Sequence, residues 1–237
     1  MQSCRAVAII PTTGAPDVVD AIKSVLSQTV QTMCYVVCDG KEYRKQTIEL
    51  TSQFYGMPNF EICFLPVNVG KFGFYGHRVY SSFPHLVDND YVTFLDQDNW
   101  FDDTHIETCL NTCETQGLDW CYSLRKIYKN DKFICNDDCE SLGKHLAWTG
   151  VNHVDTNTYF IKRDVLLQIS SAWHGKWGQD RVFLSTIAKH FSKFNGTGKY
   201  TVNYRLGGNS GSVDATFFEQ GNSHMKSIYK DSFPWAC

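Results

Sequence analysis

Two acidic residues, Asp96 and Asp98, stand one residue apart directly after a predicted buried strand. The strand is predicted from residues 91–95, an apolar run of the length expected for one. Carboxylate oxygens suit hard divalent cations such as Mg²⁺ and Mn²⁺, which also share substrate phosphates as ligands. We therefore expect a divalent cation and a phosphate-bearing ligand at this pair. The competing interpretation is a solvated turn.

The position of the pair relative to its strand favours the chemical interpretation. The same spacing recurs at Asp88 and Asp90, but those acids precede the strand, where a turn is expected. Asp96 and Asp98 follow the strand instead. In an α/β sheet, ligands bind beyond the carboxyl ends of the parallel strands. Asp96 and Asp98 are therefore expected on the ligand side of the sheet.

The elements that must position these acids alternate along the first half of the chain. Strands are predicted at residues 5–10, 34–38, 60–65 and 91–95, and helices at 18–26, 43–54 and 77–83. This alternation predicts an α/β fold with a central, mostly parallel sheet flanked by helices. Pro11 is expected to end the first strand. Polar or glycine-containing segments follow each strand, and we expect them to meet at one edge: 12–13, 39–40, 68–70 and 96–98.

The second half of the chain is predicted to be mixed. A hairpin turned at Asn130-Asp131 is expected, followed by a strand over 153–161. Helices are predicted over 164–169 and 181–191. Because no repeat, low-complexity segment or linker is visible, we expect one domain, residues 1–237.

Composition argues against some classes of partner. The net charge is −3 and the pI about 6.2, and no basic block is present, which disfavours nucleic acid. No apolar run is long enough to span a bilayer, and no export signal is recognisable. We therefore expect a cytoplasmic protein without a transmembrane segment, leaving open a peripheral contact with a membrane.

Ten cysteines are many for such a chain. Without an export signal, we expect reduced and mostly buried thiols rather than disulfides. The pairs Cys109-x3-Cys113 and Cys135-x3-Cys139 have a second interpretation as structural zinc ligands. Zinc sites more often use a two-residue gap, so this interpretation ranks below inert thiols.

Five short segments carry a resemblance to a known family. They are Val7–Thr13, Val36–Gly40, Asn68–Gly70 with Gly76–Arg78, Phe94–Asn99 and Trp177–Asp180. Their order and spacing resemble glycosyltransferase family 2, which has the GT-A fold, over about residues 5–190. The resemblance extends the predicted fold to a single GT-A (Rossmann-like) domain.

The resemblance implies an inverting transfer from a nucleoside diphosphate sugar, with a UDP-sugar favoured, to a hydroxyl group. The acceptor would be a glycan, a lipid-linked sugar or a protein. About residues 1–100 would hold the donor, and residues 101–237 would face the acceptor. The residues implied in donor binding are Pro11, Thr12, Thr13, Asp39, Asn68, Gly70, Lys71, Arg78, Asp96 and Gln97.

The same resemblance implies a Mn²⁺ or Mg²⁺ ion. Asp98 would bind it directly, and Asp96 would bond the ribose or reach the metal through water. His224 is the preferred third ligand, because related enzymes often draw a histidine from the C-terminal region. Its rivals are His153, His174 and His190.

Asp180 is the implied general base, and Trp177 and Gln179 are expected near the acceptor. Tryptophan can stack on a sugar ring, although large aromatic residues are more often core. Gln179 departs from the family, which often has an acid there. Asp180 has a compatible second interpretation as a helix N-cap. Asp39-Gly40 has an alternative interpretation as a turn without a binding role. Arg78 has an alternative interpretation as a surface residue of a helix.

Two other functions stay open at this point. A nucleotidyltransferase also uses paired acids and a metal, but it would want a Gly-rich, basic signature behind the first strand, which residues 12–16 lack. A non-catalytic nucleotide-sugar or glycan binding module on the same fold is the other alternative. Donor hydrolysis in the presence of metal would separate an enzyme from such a module.

Overall fold

A computed structural model describes residues 4–207, 213–230 and 232–237. In these ranges the strands are β1 Ala6–Thr12, β2 Thr32–Cys38, β3 Phe60–Phe64, β4 Tyr91–Phe94, β5 Trp100–Phe101, β6 Trp120–Lys129, β7 Lys132–Asn136, β8 Tyr159–Lys162 and β9 Phe194–Arg205. The α-helices are α1 Val18–Leu26, α2 Arg44–Thr51, α3 His77–Ser82, α4 His105–Gln116, α5 Arg163–Ile169, α6 Gln179–His190 and α7 Ala215–Tyr229.

All of these strands belong to one sheet, in the order β3-β2-β1-β4-β8-β6-β9-β5, with β7 paired to β6. The strands from β1 to β4 pair in parallel. β8 then joins antiparallel to both β4 and β6, and β6 runs parallel to β9. The predicted α/β class with a central sheet is confirmed. The strands of the first half provide its all-parallel side.

β1 shows why the first half folds in this way. Val7 and Ile9 belong to the apolar cluster on one face of the sheet, and Ala8 and Ile10 belong to the cluster on the other. Successive side chains of a strand point to opposite faces, so a continuous apolar run suits a strand that is covered on both. α1 provides part of the second cover, because its apolar residues recur at helical spacing.

Pro11 does not end β1, which continues through Thr12. The pairing of β1 with β4 stops at Ile9–Phe94, whereas its pairing with β2 runs on to Thr12–Cys38. Leu95 N donates to Ile9 O, so the odd-numbered residues of β1 face β4. The N–H that proline lacks is therefore missing only on the β4 side, where the ladder has already finished.

The strand predicted over 153–161 is only partly correct, because β8 begins at Tyr159. Residues Thr156–Thr158 form a 3-10 turn instead. The Asp155 carboxylate accepts a hydrogen bond from Asn157 N at 3.0 Å, and Thr158 Oγ1 donates to Asp155 O at 2.8 Å. Such local side-chain bonds compete with strand pairing.

The predicted hairpin is confirmed, with Asn130 and Asp131 at φ 50° and 59° between β6 and β7. These positive values are those of the tight turns that suit strand twist. Four elements were not predicted: α4, β5, β9 and α7. The buried face of α4 includes His105, Cys109 and Cys113. Because histidine and cysteine do not stand out as apolar residues, the sequence shows no clear apolar stripe at helical spacing there.

The cysteine thiols are free, and most are buried. No group of three or more His, Cys, Asp and Glu side chains within the described residues is arranged to hold a metal ion, so the zinc interpretation gains no support. In the same ranges, no helix has both the length and the apolar character needed to cross a membrane.

Candidate active site

A cleft of about 600 Å³ opens where β1, β2 and β4 end. It brings together most of the residues that the sequence singled out. Those that line it are Pro11, Thr12, Thr13, Asp39, Asn68, Gly70, Lys71, Asp96, Gln97, Asp98, Trp177 and Asp180. The parallel strands explain this convergence, because their carboxyl ends share one edge of the sheet.

Gln97 ties the loop after β4 to the end of β1. Its Oε1 accepts hydrogen bonds from Thr12 Oγ1 at 2.7 Å, Thr13 N at 3.1 Å and Ala15 N at 3.4 Å. Thr12 Oγ1 also accepts from Gly14 N at 2.9 Å. The amide oxygen of Gln97 is thus occupied by donors of the protein itself.

Asp39 holds the loop that follows β3. Its carboxylate is nearly buried and accepts hydrogen bonds from Val69 N at 2.6 Å and Gly70 N at 2.8 Å. Burial raises the pKa of this carboxyl, and the two N–H donors oppose the rise. Beside it, Asn68 Oδ1 is buried and has no hydrogen-bond partner in the described part of the chain. A buried unpaired acceptor is unfavourable by roughly 1–3 kcal/mol, so this atom suits a ligand N–H or O–H.

Gly70 is required by close approach of the chain to itself. A Cβ at this position would lie 2.3 Å from Tyr75 O and 2.8 Å from Asp39 Oδ2. The N–H groups of Phe74 and Tyr75 donate to Gly70 O at 3.1 and 3.0 Å, which closes the turn. Within this turn Phe72 has a positive φ of 62° and is 87% exposed.

Asp96 is held at both carboxylate oxygens. Tyr80 Oη donates to Oδ1 at 2.6 Å, and Asn157 Nδ2 donates to Oδ2 at 3.0 Å. The Asp96 N–H donates in turn to Asn157 Oδ1 at 2.6 Å. Burial raises the pKa of the Asp96 carboxyl, and the Tyr80 hydrogen bond opposes the rise.

Asp98 is in a different situation. Burial, together with the charges of Asp96 and Asp17, raises the pKa of the Asp98 carboxyl to about 7, and Arg205 opposes the rise. Arg205 donates to the Asp98 main-chain oxygen at 3.2 Å, not to its carboxylate. No side chain among the described residues donates to that carboxylate. A bound cation would favour its ionised form.

Asp180 lies in the first turn of α6 and also lines the cleft. One carboxylate oxygen accepts from Arg181 N at 2.9 Å. The other lies 3.6 Å from Nε2 of the buried His153, which also lines the cleft. Trp177 is 66% exposed at the mouth of the cleft, and the Arg181 guanidinium lies 5.7 Å from its ring centre.

Three predicted residues do not line the cleft. Arg78 lies with its guanidinium 3.5 Å from the Phe74 ring centre, and it donates to Val69 O at 3.3 Å. Gln179, the first residue of α6, donates to Ala172 O, which precedes this helix in the chain. His224 is exposed on α7. Its role as a metal ligand stays a prediction.

Sequence reasoning missed a buried ion network around Arg125, which is 2% exposed within β6. Its Nε donates to Asp137 at 2.7 Å, its Nη1 donates to Asp155 at 2.6 Å, and its Nη2 donates to Glu140. The three acids lie 12, 30 and 15 residues away along the chain. The only sequence signal was a charge inside an apolar strand, which does not identify its partners.

The charge of the cleft bears on whether a divalent cation fits. Its carboxylates belong to Asp39, Asp96, Asp98, Glu140, Asp155 and Asp180, and its basic side chains to Lys71, Arg125 and Arg181. Arg125 is already committed to three acids. A diphosphate would therefore meet an acidic surface unless a cation accompanied it. The oxygen donors fit Mg²⁺ or Mn²⁺, which need few protein ligands when substrate phosphates supply the others.

The fold and the cleft together define an α/β protein with a ligand site at the carboxyl edge of its parallel strands. The family model described as glycosyl transferase family 2 matches residues 7–148, more than half of the chain. The chain belongs to glycosyl transferase family 2. The matched range includes β1 to β4 and the Asp96–Asp98 pair.

Solved structures with a similar fold include those of S. aureus TarS. Residues 1–349 of that protein in complex with UDP align over 96% of this chain and 72% of theirs, at 13% identity and a TM-score of 0.66. The complex with UDP-GlcNAc gives 14% identity and a TM-score of 0.67, over 96% of this chain and 67% of that one. At such identities the likeness concerns the fold.

A Haemophilus influenzae protein described as uncharacterized is 37% identical over 62 residues. The aligned part is 26% of this chain and 42% of that relative. The chain thus spans less than half the length of this curated relative.

Proposed function

We propose that the chain is an inverting, metal-dependent glycosyltransferase that moves a sugar from a UDP-sugar to a hydroxyl group of a glycan or another acceptor. The observation that carries the proposal is the meeting of Asp98 and Asp180 in one cleft at the carboxyl edge of the sheet. Membership of glycosyl transferase family 2 supports the reaction class. The complexes of TarS with UDP and UDP-GlcNAc favour a uridine nucleotide.

The donor is proposed to lie against the ends of β1 and β2. Asn68 Oδ1 is a buried acceptor that none of the described residues satisfies, which suits an N–H of a uracil ring. Asp39 fixes the loop that carries Asn68, and its remaining lone pairs can also accept from the base. Thr12 adds a hydroxyl for the base or ribose, and Lys71 adds a cation on the diphosphate side.

Asp98 is proposed to hold a Mn²⁺ or Mg²⁺ ion directly, with Asp96 placed to bond the ribose. The support is the chemical difference between them: two side chains donate to the Asp96 carboxylate, whereas no side chain of the described residues donates to that of Asp98, which lines the cleft. When bound, such a cation supplies Lewis-acid stabilisation of the charge that develops on a leaving diphosphate.

Asp180 is proposed to act as the general base. It would take the proton of the acceptor hydroxyl while that oxygen bonds to the anomeric carbon. The bond from that carbon to the diphosphate oxygen breaks on the opposite face, so the configuration inverts and UDP leaves. Proton transfer of this kind contributes typically about 10²–10⁴-fold. Trp177 at the mouth of the cleft offers an aromatic face for an acceptor sugar.

The first test is calorimetric titration of UDP, GDP and dTDP into the protein, with and without Mn²⁺. We expect UDP to bind in a Mn²⁺-dependent way and Asp98→Ala to lose that dependence. Asp88→Ala is the matched control, because Asp88 and Asp90 form the other pair of acids with the same spacing and Asp88 is fully exposed. It should bind UDP like the wild type.

The outcomes separate the alternatives. No binding of any nucleotide by folded protein would refute the transferase proposal. UDP binding that is equal with and without Mn²⁺, and unchanged in Asp98→Ala, would refute the metal assignment alone. Tight UDP binding without turnover of UDP-sugars would favour a binding module.

A further inference from the structure

Asn157 holds the first acid of the Asp96–Asp98 pair, and we infer that it is a positioning residue for the donor and metal site. This role rests on the proposed function, because it requires that the pair bind a nucleotide with a cation. Asn157 is 1% exposed and lies in the 3-10 turn before β8. It belongs to the second half of the chain, whereas Asp96, the acid of the pair that it holds, belongs to the first.

The single amide of Asn157 bonds two carboxylates and one peptide group. Its Nδ2 donates to Asp96 Oδ2 at 3.0 Å and to Asp155 Oδ1 at 2.8 Å, so each of the two hydrogens has its own acceptor. Its Oδ1 accepts from Asp96 N at 2.6 Å. The amide orientation is fixed by its partners, because a flipped amide would set its oxygen against two carboxylates.

We call the hydrogen bonds that join the Asn157 amide to Asp96 and Asp155 the clamp. Its Asp155 side is anchored to the Arg125 network. Arg125 Nη1 donates to Asp155 Oδ2 at 2.6 Å, and Asp155 N donates to Ser141 Oγ at 2.8 Å. Hydrogen bonds to the main chain and to the side chain of Asp155 therefore hold it in place independently of its hydrogen bond with Asn157. The line Arg125–Asp155–Asn157–Asp96 consists of hydrogen bonds of 2.6, 2.8 and 3.0 Å between buried or nearly buried groups.

The clamp needs an amide at position 157. Alanine would leave the carboxylates of Asp96 and Asp155 without the donor that they share. Aspartate would add a third negative charge between them, since a carboxylate only accepts when ionised. Alanine would also remove the acceptor of the Asp96 N–H and so release that peptide, from which the chain runs directly to Asp98. Supporting residues of metal sites typically matter by roughly 10- to 100-fold in affinity or activity.

The test compares Asn157→Ala and Asn157→Asp with Asn59→Ala. Asn59 is also buried, and its Nδ2 donates to Thr32 O at 3.0 Å, at the opposite ends of the parallel strands. UDP affinity is measured with and without Mn²⁺, together with the melting temperature and amide hydrogen exchange over residues 95–99. A variant with lower stability but an intact site would change the melting temperature without changing the Mn²⁺ dependence.

We expect Asn157→Ala to lose roughly 10-fold or more of the Mn²⁺-dependent UDP affinity and to exchange faster at residues 95–99, with Asn157→Asp affected more strongly. Asn59→Ala should lose stability and keep both properties. Full Mn²⁺ dependence in Asn157→Ala, or an equal loss in Asn59→Ala, would overturn the positioning role while leaving the proposed function intact. Wild-type protein that binds no nucleotide would overturn both.

Discussion

The two acids of the D-x-D pair have the same side chain but different surroundings. Asp96 receives hydrogen bonds from Tyr80 and Asn157, so the protein fixes the direction of its carboxylate. Asp98 has no such donor among the described residues, and burial brings its pKa to about 7. The hydrogen bonds fix the Asp96 carboxylate within the protein, whereas the Asp98 carboxylate is proposed to bind a cation. Spacing alone could not assign these roles, because Asn157 lies 61 residues away.

At the same scale, Asp180→Asn should remove turnover without removing donor binding. The amide keeps the size of the side chain but cannot take a proton, so UDP release from UDP-sugars should fall by about 10²–10⁴-fold. UDP affinity should be unchanged. The matched control is Asp164→Asn, since Asp164 also lies in the first turn of a helix, α5, outside the cleft. Full activity in Asp180→Asn would remove it from the role of base.

At the scale of elements, the site depends on three strand ends and the loops joined to them. Gln97 bonds the β4 loop to the end of β1, and Asp39 bonds the end of β2 to the loop after β3. The end of β9 adds a third tie, because Arg205 N donates to Asn99 Oδ1 at 2.9 Å. These cross-links fix loops that would otherwise be free at the edge of the sheet.

Gly70→Ala tests the loop after β3. The added methyl group would meet Tyr75 O and Asp39 Oδ2, which are backbone and buried carboxylate atoms with little freedom to move. We expect UDP affinity to fall by about 10-fold or more, a loss of ~1.4 kcal/mol in binding free energy. The loop must shift to make room, so its hydrogen bonds to Asp39 are lost.

Gly117→Ala provides a control for this prediction. Gly117 ends α4 with φ +63°, and a Cβ added there would meet no described residue within 4 Å other than its chain neighbours. Alanine at such a position is strained by roughly 1–2 kcal/mol, so stability should fall while UDP affinity is kept. If Gly70→Ala bound UDP like the wild type, the loop would not form part of the donor site.

At the scale of the whole molecule, the sequence predicted β1 to β4 with the helices between them, and later in the chain the β6–β7 hairpin, α5 and α6, but it did not predict α4, β5, β9 or α7. The strands β1, β2 and β4 were recognisable because their apolar runs are continuous, and the polar segments behind them could be assigned to one edge. β9 was missed because glycines and polar residues interrupt it. Long-range pairs such as Arg125 with Asp155 depend on which strands become neighbours, and local patterns do not contain that information.

The Arg125 network links distant parts of the chain and should make stability depend on pH. Burial raises the pKa of Asp137, but the Arg125 guanidinium and the N–H groups of Ser141 and Glu140 outweigh it, so the pKa lies below its ordinary value. The stabilisation by Asp137 is therefore complete above the unfolded-state pKa of about 4 and is lost as pH falls through the lower folded-state value.

Urea unfolding at several pH values between 7 and 3 tests this dependence. Asp137→Asn should lower stability at pH 7 and make its decline below about pH 4 shallower. Asp138→Asn is an informative control, because burial raises the pKa of Asp138. That group binds protons more readily in the folded state, so its contribution to stability falls as pH rises. Parallel pH curves for wild type and Asp137→Asn would contradict the prediction.

The hydrogen bonds of Gln97 have a consequence for how the molecule can recognise phosphate. Loops behind a first strand often form an anion nest, in which successive main-chain N–H groups point at a phosphate. Here the N–H groups of Thr13 and Ala15 already donate to a neutral amide oxygen of the protein. The N–H groups of Thr13 and Ala15 are thus already hydrogen-bonded within the protein. They do not form an anion site for the triphosphate that nucleotidyl transfer consumes. Under the proposed function, phosphate charge would instead be met by Lys71 and by a cation bound to Asp98, both of which line the cleft.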